Sequence, residues 1–148
     1  MATLRWSDGA RLALHATRHG DRLVRADSPR TPPHRLVIPR AELCAALRRV
    51  MVLTTERARS VTCDMSTGTL VLSVHTPDLG EAREELAIDY HGAALRVGFN
   101  GRYLLDFCIA VEPEEQIVME LVSDTAPALL RVESDPLYRY VVMPMRLF

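Results

Sequence analysis

Apolar and polar positions alternate with a period of two along most of this chain, and helical spacing replaces that alternation twice. The first stretch, TLRWSDGARLALHATRHGDRLVRADS (3–28), falls into short alternating runs around Asp8-Gly9 and His19-Gly20-Asp21. An Asp-Gly between alternating runs is a hairpin signal. SPRTPPH (28–34) then carries three prolines in seven residues. Proline removes a backbone donor and fixes φ, so this stretch predicts a linker and the chain's best candidate boundary.

After the linker, Leu36-Val37-Ile38 predicts a short strand stopped at Pro39. AELCAALRRVMVL (41–53) places Leu43, Leu47, Val50 and Met51 on one helical stripe, with Glu42, Ala45, Arg48 and Arg49 elsewhere. The alternation resumes in SVTCDMS (60–66), TLVLSVHT (69–76) and EELAIDY (84–90), separated by Thr67-Gly68 and by Pro77 and Gly80. ALRVGF (94–99) leads into a second helix. Asn100 is placed as its N-cap, and Leu104, Leu105, Cys108 and Val111 form its apolar side. QIVMELVS (116–123), ALLRVES (128–134) and LYRYVVMPMRL (137–147) close the chain as strands. The order from Arg35 is thus strand–helix–three strands, twice. That predicts an α+β fold: a duplicated βαβββ unit with antiparallel sheets and both helices on one side. The expected division is 1–34 for the N-terminal strands and linker, and 35–148 for the duplicated domain.

Composition narrows the function classes. With 148 residues and 48% hydrophobic content, the chain is long enough for a real core and too apolar for disorder. No apolar run reaches the roughly 18 to 20 residues of a membrane helix, and the N-terminus lacks a signal-peptide layout. Cys44, Cys63 and Cys108 are odd in number and widely spaced. They read as buried thiols of a cytoplasmic protein rather than as a disulfide framework or zinc site. All 18 basic residues are arginine, a choice read as genome composition. Residues 1–59 hold 12 arginines against five acids and residues 60–148 six against 14, so the halves carry +7 and −8. That asymmetry points to a polyanion-facing or partner-facing first half.

Catalytic chemistry is thin. His15 and His19 are four apart in a region that reads as strand, where that spacing does not converge on a metal. Glu112, Glu114 and Glu115 read as a solvated helix end. A glycine-rich phosphate loop and a nucleophile elbow are both missing from the sequence. No enzyme activity, metal or cofactor is expected.

Three strings carry a family resemblance: YVVMPMRL (140–147), VGFNGRYLLDF (97–107) and RAELCAALRRVMVLTTERARSV (40–61). Together they make residues 35–148 resemble the C-terminal domain of the bacterial DNA sliding clamp, the β subunit of DNA polymerase III. In that family the second helix and the last strand form a shallow pocket for short linear peptides of polymerases, the clamp loader and repair proteins. The resemblance places the pocket at Asn100, Tyr103, Val141, Val142, Met143, Pro144, Met145 and Arg146. Two methionines around a proline suit an adaptable apolar groove. The resemblance also turns Arg48, Arg49 and Arg102 toward double-stranded DNA, contacted without sequence specificity, and puts Val52 and Leu53 at a subunit interface.

Full clamps carry three such domains and close as a dimeric ring. Residues 1–34 stand where the middle domain would end, so the pocket's other half is expected to be shortened and peptide affinity weak. Phe148, one residue past the family's usual ending, is a candidate to reach toward the groove. The expected function is a replication and repair processivity module that recruits partners and encircles DNA as a homo-oligomer. The alternatives are a clamp-derived adaptor that does not encircle DNA, or a fragment of a full-length clamp.

Overall fold

The computed structural model describes residues 2–5, 11–15, 33–55, 58–113, 115–135 and 137–146. The first duplicated unit is β3 (His34–Pro39), α1 (Arg40–Val50), β4 (Ser60–Ser66), β5 (Thr69–Thr76) and β6 (Gly80–Ala87). The second is β7 (Leu95–Asn100), α2 (Gly101–Ala110), β8 (Gln116–Leu121), β9 (Ala128–Val132) and β10 (Tyr138–Val142). Ahead of them, β1 (Ala2–Arg5) and β2 (Arg11–His15) pair antiparallel, so the hairpin read from the alternation is present. Its Asp8-Gly9 turn, the His19-Gly20-Asp21 turn and most of the proline-rich stretch lie outside the described residues.

Each unit lends its first strand to the other's sheet. β7 pairs with β4 to give a sheet ordered β6-β5-β4-β7, and β3 pairs with β8 to give β10-β9-β8-β3. Within the two units every pairing is antiparallel, while β2 joins the outer side of β10 in parallel. The exchange explains why neither unit can close its own core.

The helices run antiparallel between the same two ends. Arg40, opening α1, donates from Nε to the Cys108 carbonyl near the end of α2 at 2.7 Å. Met51, just past α1, lies against the position where a Gly101 Cβ would stand. The backbone repeats the same device in both units. Arg40 N–H bonds to the Glu115 carbonyl at 3.0 Å, and Gly101 N–H bonds to the Arg59 carbonyl at 3.1 Å.

Alternation delivers one core from both sheets. Val61, Cys63 and Met65 of β4, Leu70, Leu72 and Val74 of β5, and Ile117, Met119 and Leu121 of β8 face the helices. Leu43, Cys44, Ala46, Leu47 and Val50 of α1 meet Leu104, Leu105, Phe107 and Cys108 of α2. Val118, Leu129 and Val141 alternate to the opposite face of the larger sheet and are buried there as well.

Several strand ends shift by a few residues from the sequence reading, and three boundaries differ for a clear physical reason. β6 begins at Gly80 rather than 84 and ends at Ala87, because an edge strand with mostly polar, solvent-facing positions shows little apolar alternation. α1 ends at Val50, and Met51–Leu53 tighten into a 3-10 turn. β10 stops at Val142, because Pro144 has no amide for a ladder.

Candidate functional site: a cleft where the C-terminal tail crosses between sheets

The residues after β10 leave the larger sheet and cross to the smaller one. Met145 N–H donates to the Gly98 carbonyl of β7 at 2.7 Å, forming an isolated antiparallel bridge on the edge of β7 that faces away from β4. Around the crossing lies an open cleft of about 450 Å³, lined by Arg96, Val97, Gly98, Asp124, Thr125, Pro144, Met145 and Arg146.

The first unit builds the same crossing and closes it. After β6, Asp89 pairs with Val37 of β3 through two backbone bonds of 3.0 and 3.1 Å. The Tyr90 carbonyl then accepts from Gly68 N–H at 3.0 Å, and Ile88 N–H reaches the Gly68 carbonyl at 3.1 Å. The Tyr90 ring is buried; its hydroxyl donates to the Ala93 carbonyl and accepts from His34 Nδ1 at 2.6 Å. In the second unit the loop between β8 and β9 is longer. Ser123 Oγ accepts instead from Ala126 N–H at 3.1 Å and Thr125 N–H at 3.3 Å, folding that loop on itself and leaving the space open.

The eight expected pocket residues divide into two groups. Pro144, Met145 and Arg146 line the cleft, and Met143 is half-buried on the approach to it. Val141 and Val142 are buried strand residues, 2% and 0% exposed. Asn100 is the N-cap of α2, its Oδ1 accepting from Arg102 N–H at 3.0 Å. Tyr103 is half-buried, and its carbonyl accepts from the Tyr140 hydroxyl at 2.8 Å. Burial pushes the Tyr140 hydroxyl above the ordinary phenol range, so it remains a donor. This bond ties the strand that launches the tail to α2. Arg96, Gly98, Asp124 and Thr125 line the cleft without having been singled out from the sequence. The usable signal was Gly98, a glycine inside a strand, which marks close approach of another backbone. Phe148 lies outside the described residues.

Arg48, Arg49 and Arg102 are all exposed. Arg49 Nε donates to Glu84 Oε1 of β6 at 2.5 Å, and that hydrogen bond raises its already high pKa. Arg102 Nε lies 3.3 Å from Asp106 one turn along α2. Arg48 has no ion-pair partner among the described residues. Val52 is 74% exposed in the 3-10 turn, whereas Leu53 is half-buried against the core. Among the described residues no three His, Cys, Asp or Glu side chains gather as metal ligands, and no helix is long and apolar enough to cross a membrane.

Two exchanged βαβββ units with their helices antiparallel on one side define a DNA-clamp domain, and the comparisons agree. Residues 28–146 match the family model of the DNA polymerase III beta subunit, C-terminal domain, and the chain belongs to that family. The beta sliding clamp of Pseudomonas putida is 35% identical over 128 residues, covering 86% of this chain and 31% of the relative. That of Escherichia coli is 31% identical, covering 80% and 35%. Among solved structures, the sliding clamp of Bartonella birtlesii bound to griselimycin superposes with a TM-score of 0.76 at 34% identity, over 81% of this chain and 32% of that one. The beta subunit from Thermotoga maritima gives 0.76 at 32% identity, with the same coverage. The chain therefore spans about a third of the relatives it matches.

Proposed function

We propose that this chain is the partner-recruiting domain of a sliding clamp for DNA replication and repair. It acts without catalysis, holding short linear peptides of a polymerase, clamp loader or repair protein in the cleft beside Pro144, Met145 and Arg146. The observation that supports this reading most is the tail crossing onto β7. It leaves open in the second unit a space that Tyr90 fills in the first. Asn100 and Tyr103 act from behind the cleft, by setting the start of α2 and by anchoring β10 through Tyr140.

In an assembly, the exposed Arg48 on α1 meets duplex DNA through phosphates, a salt-sensitive interaction that reads no sequence. Val52 and the partly covered Leu53 supply the contact to a neighbouring subunit. Three buried free thiols suit a reducing cytoplasm.

A second reading is favoured by one observation: Arg49 and Arg102 already have carboxylate partners in Glu84 and Asp106. On that reading the chain is an adaptor that keeps the groove and does not encircle DNA.

Titration of a fluorescein-labelled clamp-binding peptide, followed by anisotropy, tests the main reading. Saturable binding weaker than that of a full-length clamp is expected, with loss in Met145→Glu. Absence of binding refutes the docking site, and affinity equal to a full clamp refutes the incomplete groove. Molar mass in solution separates the two readings, a closed oligomer supporting the clamp and a monomer the adaptor.

A further inference from the structure

The two βαβββ units are held together by what they lend each other. β7 fills the open side of β4 over residues 60–65 and 95–100, and β3 fills the open side of β8 over residues 34–39 and 116–121. Between the helices, Arg40 Nε donates to the Cys108 carbonyl, and Gly101 N–H bonds to the Arg59 carbonyl ahead of β4. None of these contacts needs the two units to belong to one molecule. From β3 to β10 the chain passes from one unit to the other once, through residues 88–94.

That connector has two parts. Ile88, Asp89 and Tyr90 are tied to the first unit: Ile88 N–H and the Tyr90 carbonyl bond to Gly68, and Asp89 pairs with Val37. The Tyr90 ring is buried, its hydroxyl 2.6 Å from His34 Nδ1 of β3. The next four residues, His91 to Ala94, are held more lightly. His91, Ala93 and Ala94 are exposed, and the Ala93 carbonyl accepts from the Tyr90 hydroxyl. Gly92 lies so close to that ring that a Cβ would stand 2.6 Å from its hydroxyl oxygen and 2.9 Å from Cε2. The closed turn is therefore crowded at its hinge, while every contact between the units survives if the turn straightens.

We propose that the chain exchanges units with a second copy of itself: residues 91–94 extend, and the second unit of each copy fills the first unit of the other. A tight hinge between halves that bind each other invites this exchange. The closed monomer keeps the advantage of tethering, an effective concentration on the order of millimolar for a short linker. Extension frees Gly92 from the Tyr90 ring and gives up the hydrogen bond at Ala93. The cleft beside Met145 is lined by second-unit residues alone, so the exchanged dimer carries two clefts on one assembly. The exchange itself does not depend on what docks there.

Asp64→Cys combined with Arg96→Cys reports the exchange. These residues stand opposite each other on β4 and β7, at a spacing a disulfide can bridge, and the native thiols are buried. In the closed monomer the new disulfide lies within one chain; in the exchanged dimer it joins two. The full chain is refolded from urea at rising protein concentration, oxidised, and run on a non-reducing gel. A growing share of covalent dimer is expected. Adding Gly92→Ala crowds the closed turn and should give the same share at about tenfold lower concentration or less. Deleting residues 92–94 should give dimer throughout, because β6 and β7 stand at opposite edges of their sheet and Ile88–Tyr90 is already held. Each variant is checked for a cooperative melt, and the parent cysteine pair decides the matter if either fails to fold. A dimer whose disulfide stays within one chain means side-by-side association, as through Val52, and overturns the exchange. Disulfides confined to single chains at every concentration overturn it as well.

Discussion

At the start of α2, Gly101 occupies a space with no room for a methyl group: a Cβ there would stand 2.6 Å from Val61 Cγ2 and 3.1 Å from Met51 Sδ. Val61 is a fully buried strand residue and cannot swing away, although the methionine can. Gly101→Ala is therefore expected to destabilise the domain by about 1–3 kcal/mol through overpacking. Urea unfolding would show a lowered midpoint at unchanged slope. Cys63 and Cys108 make a second prediction at this scale. Burial pushes both thiols from 9.0 up to about 12. In the unfolded chain they ionise near the ordinary value, so the folded state holds more protons between the two. The stability tied to the neutral thiols is complete below about pH 8.5 and declines as pH rises toward 12. Denaturation at pH 10 should show a lower midpoint than at pH 7, and Cys63→Ala combined with Cys108→Ala should reduce that difference. A midpoint rising with pH would contradict the burial argument.

At the scale of elements, Asn100 is legible in sequence as a cap and in structure as one, through its bond to Arg102 N–H. Asn100→Ala should cost about 1 kcal/mol of stability. On the reading that Asn100 acts from behind the cleft, peptide affinity should fall only as far as the start of α2 loosens. Thermal melts and anisotropy on one sample separate the two effects. Most of the fold was readable because two-residue and 3.6-residue periods mark half-buried strands and a helix with one covered face. β4 and β5 follow the expected 60–66 and 69–76 boundaries. Where burial is two-sided or absent the pattern fades. β6 is an exposed edge and starts earlier than its apolar residues suggest, while β8 is buried on both faces and no longer alternates. The cleft was half legible. Pro144, Met145 and Arg146 came from a sequence string, but Asp124 and Thr125 meet them only through a loop whose position depends on the strand exchange. That exchange is a long-range pairing that no local pattern encodes.

For the whole molecule, the +7/−8 split of charge acquires a more modest meaning. Several first-half arginines stand in 1–32, where no side chain is described. Of the three helix arginines expected to face DNA, two are held by carboxylates. Those exposed pairs are weak and exchangeable, so Arg48 is the helix arginine that can meet a phosphate without first giving up a partner. Such binding should be detectable at low ionic strength and fade as salt rises. Arg48→Glu should reduce the slope of log affinity against log salt by about 0.9, the share of one phosphate left without its arginine. Undiminished binding in that variant would move the DNA surface off α1. On the proposed reading, peptide recruitment depends on the cleft, where a tail crossing between exchanged sheets leaves open what the first unit closes. A ¹⁵N-resolved NMR titration of the labelled protein with the clamp-binding peptide reads that cleft residue by residue. Saturable shifts are expected at Arg96, Gly98, Thr125, Met145 and Arg146, with Tyr90 and Gly68 at the closed counterpart unmoved. Shifts confined to the counterpart or to the helix face, or none at saturating peptide, would contradict docking in the cleft.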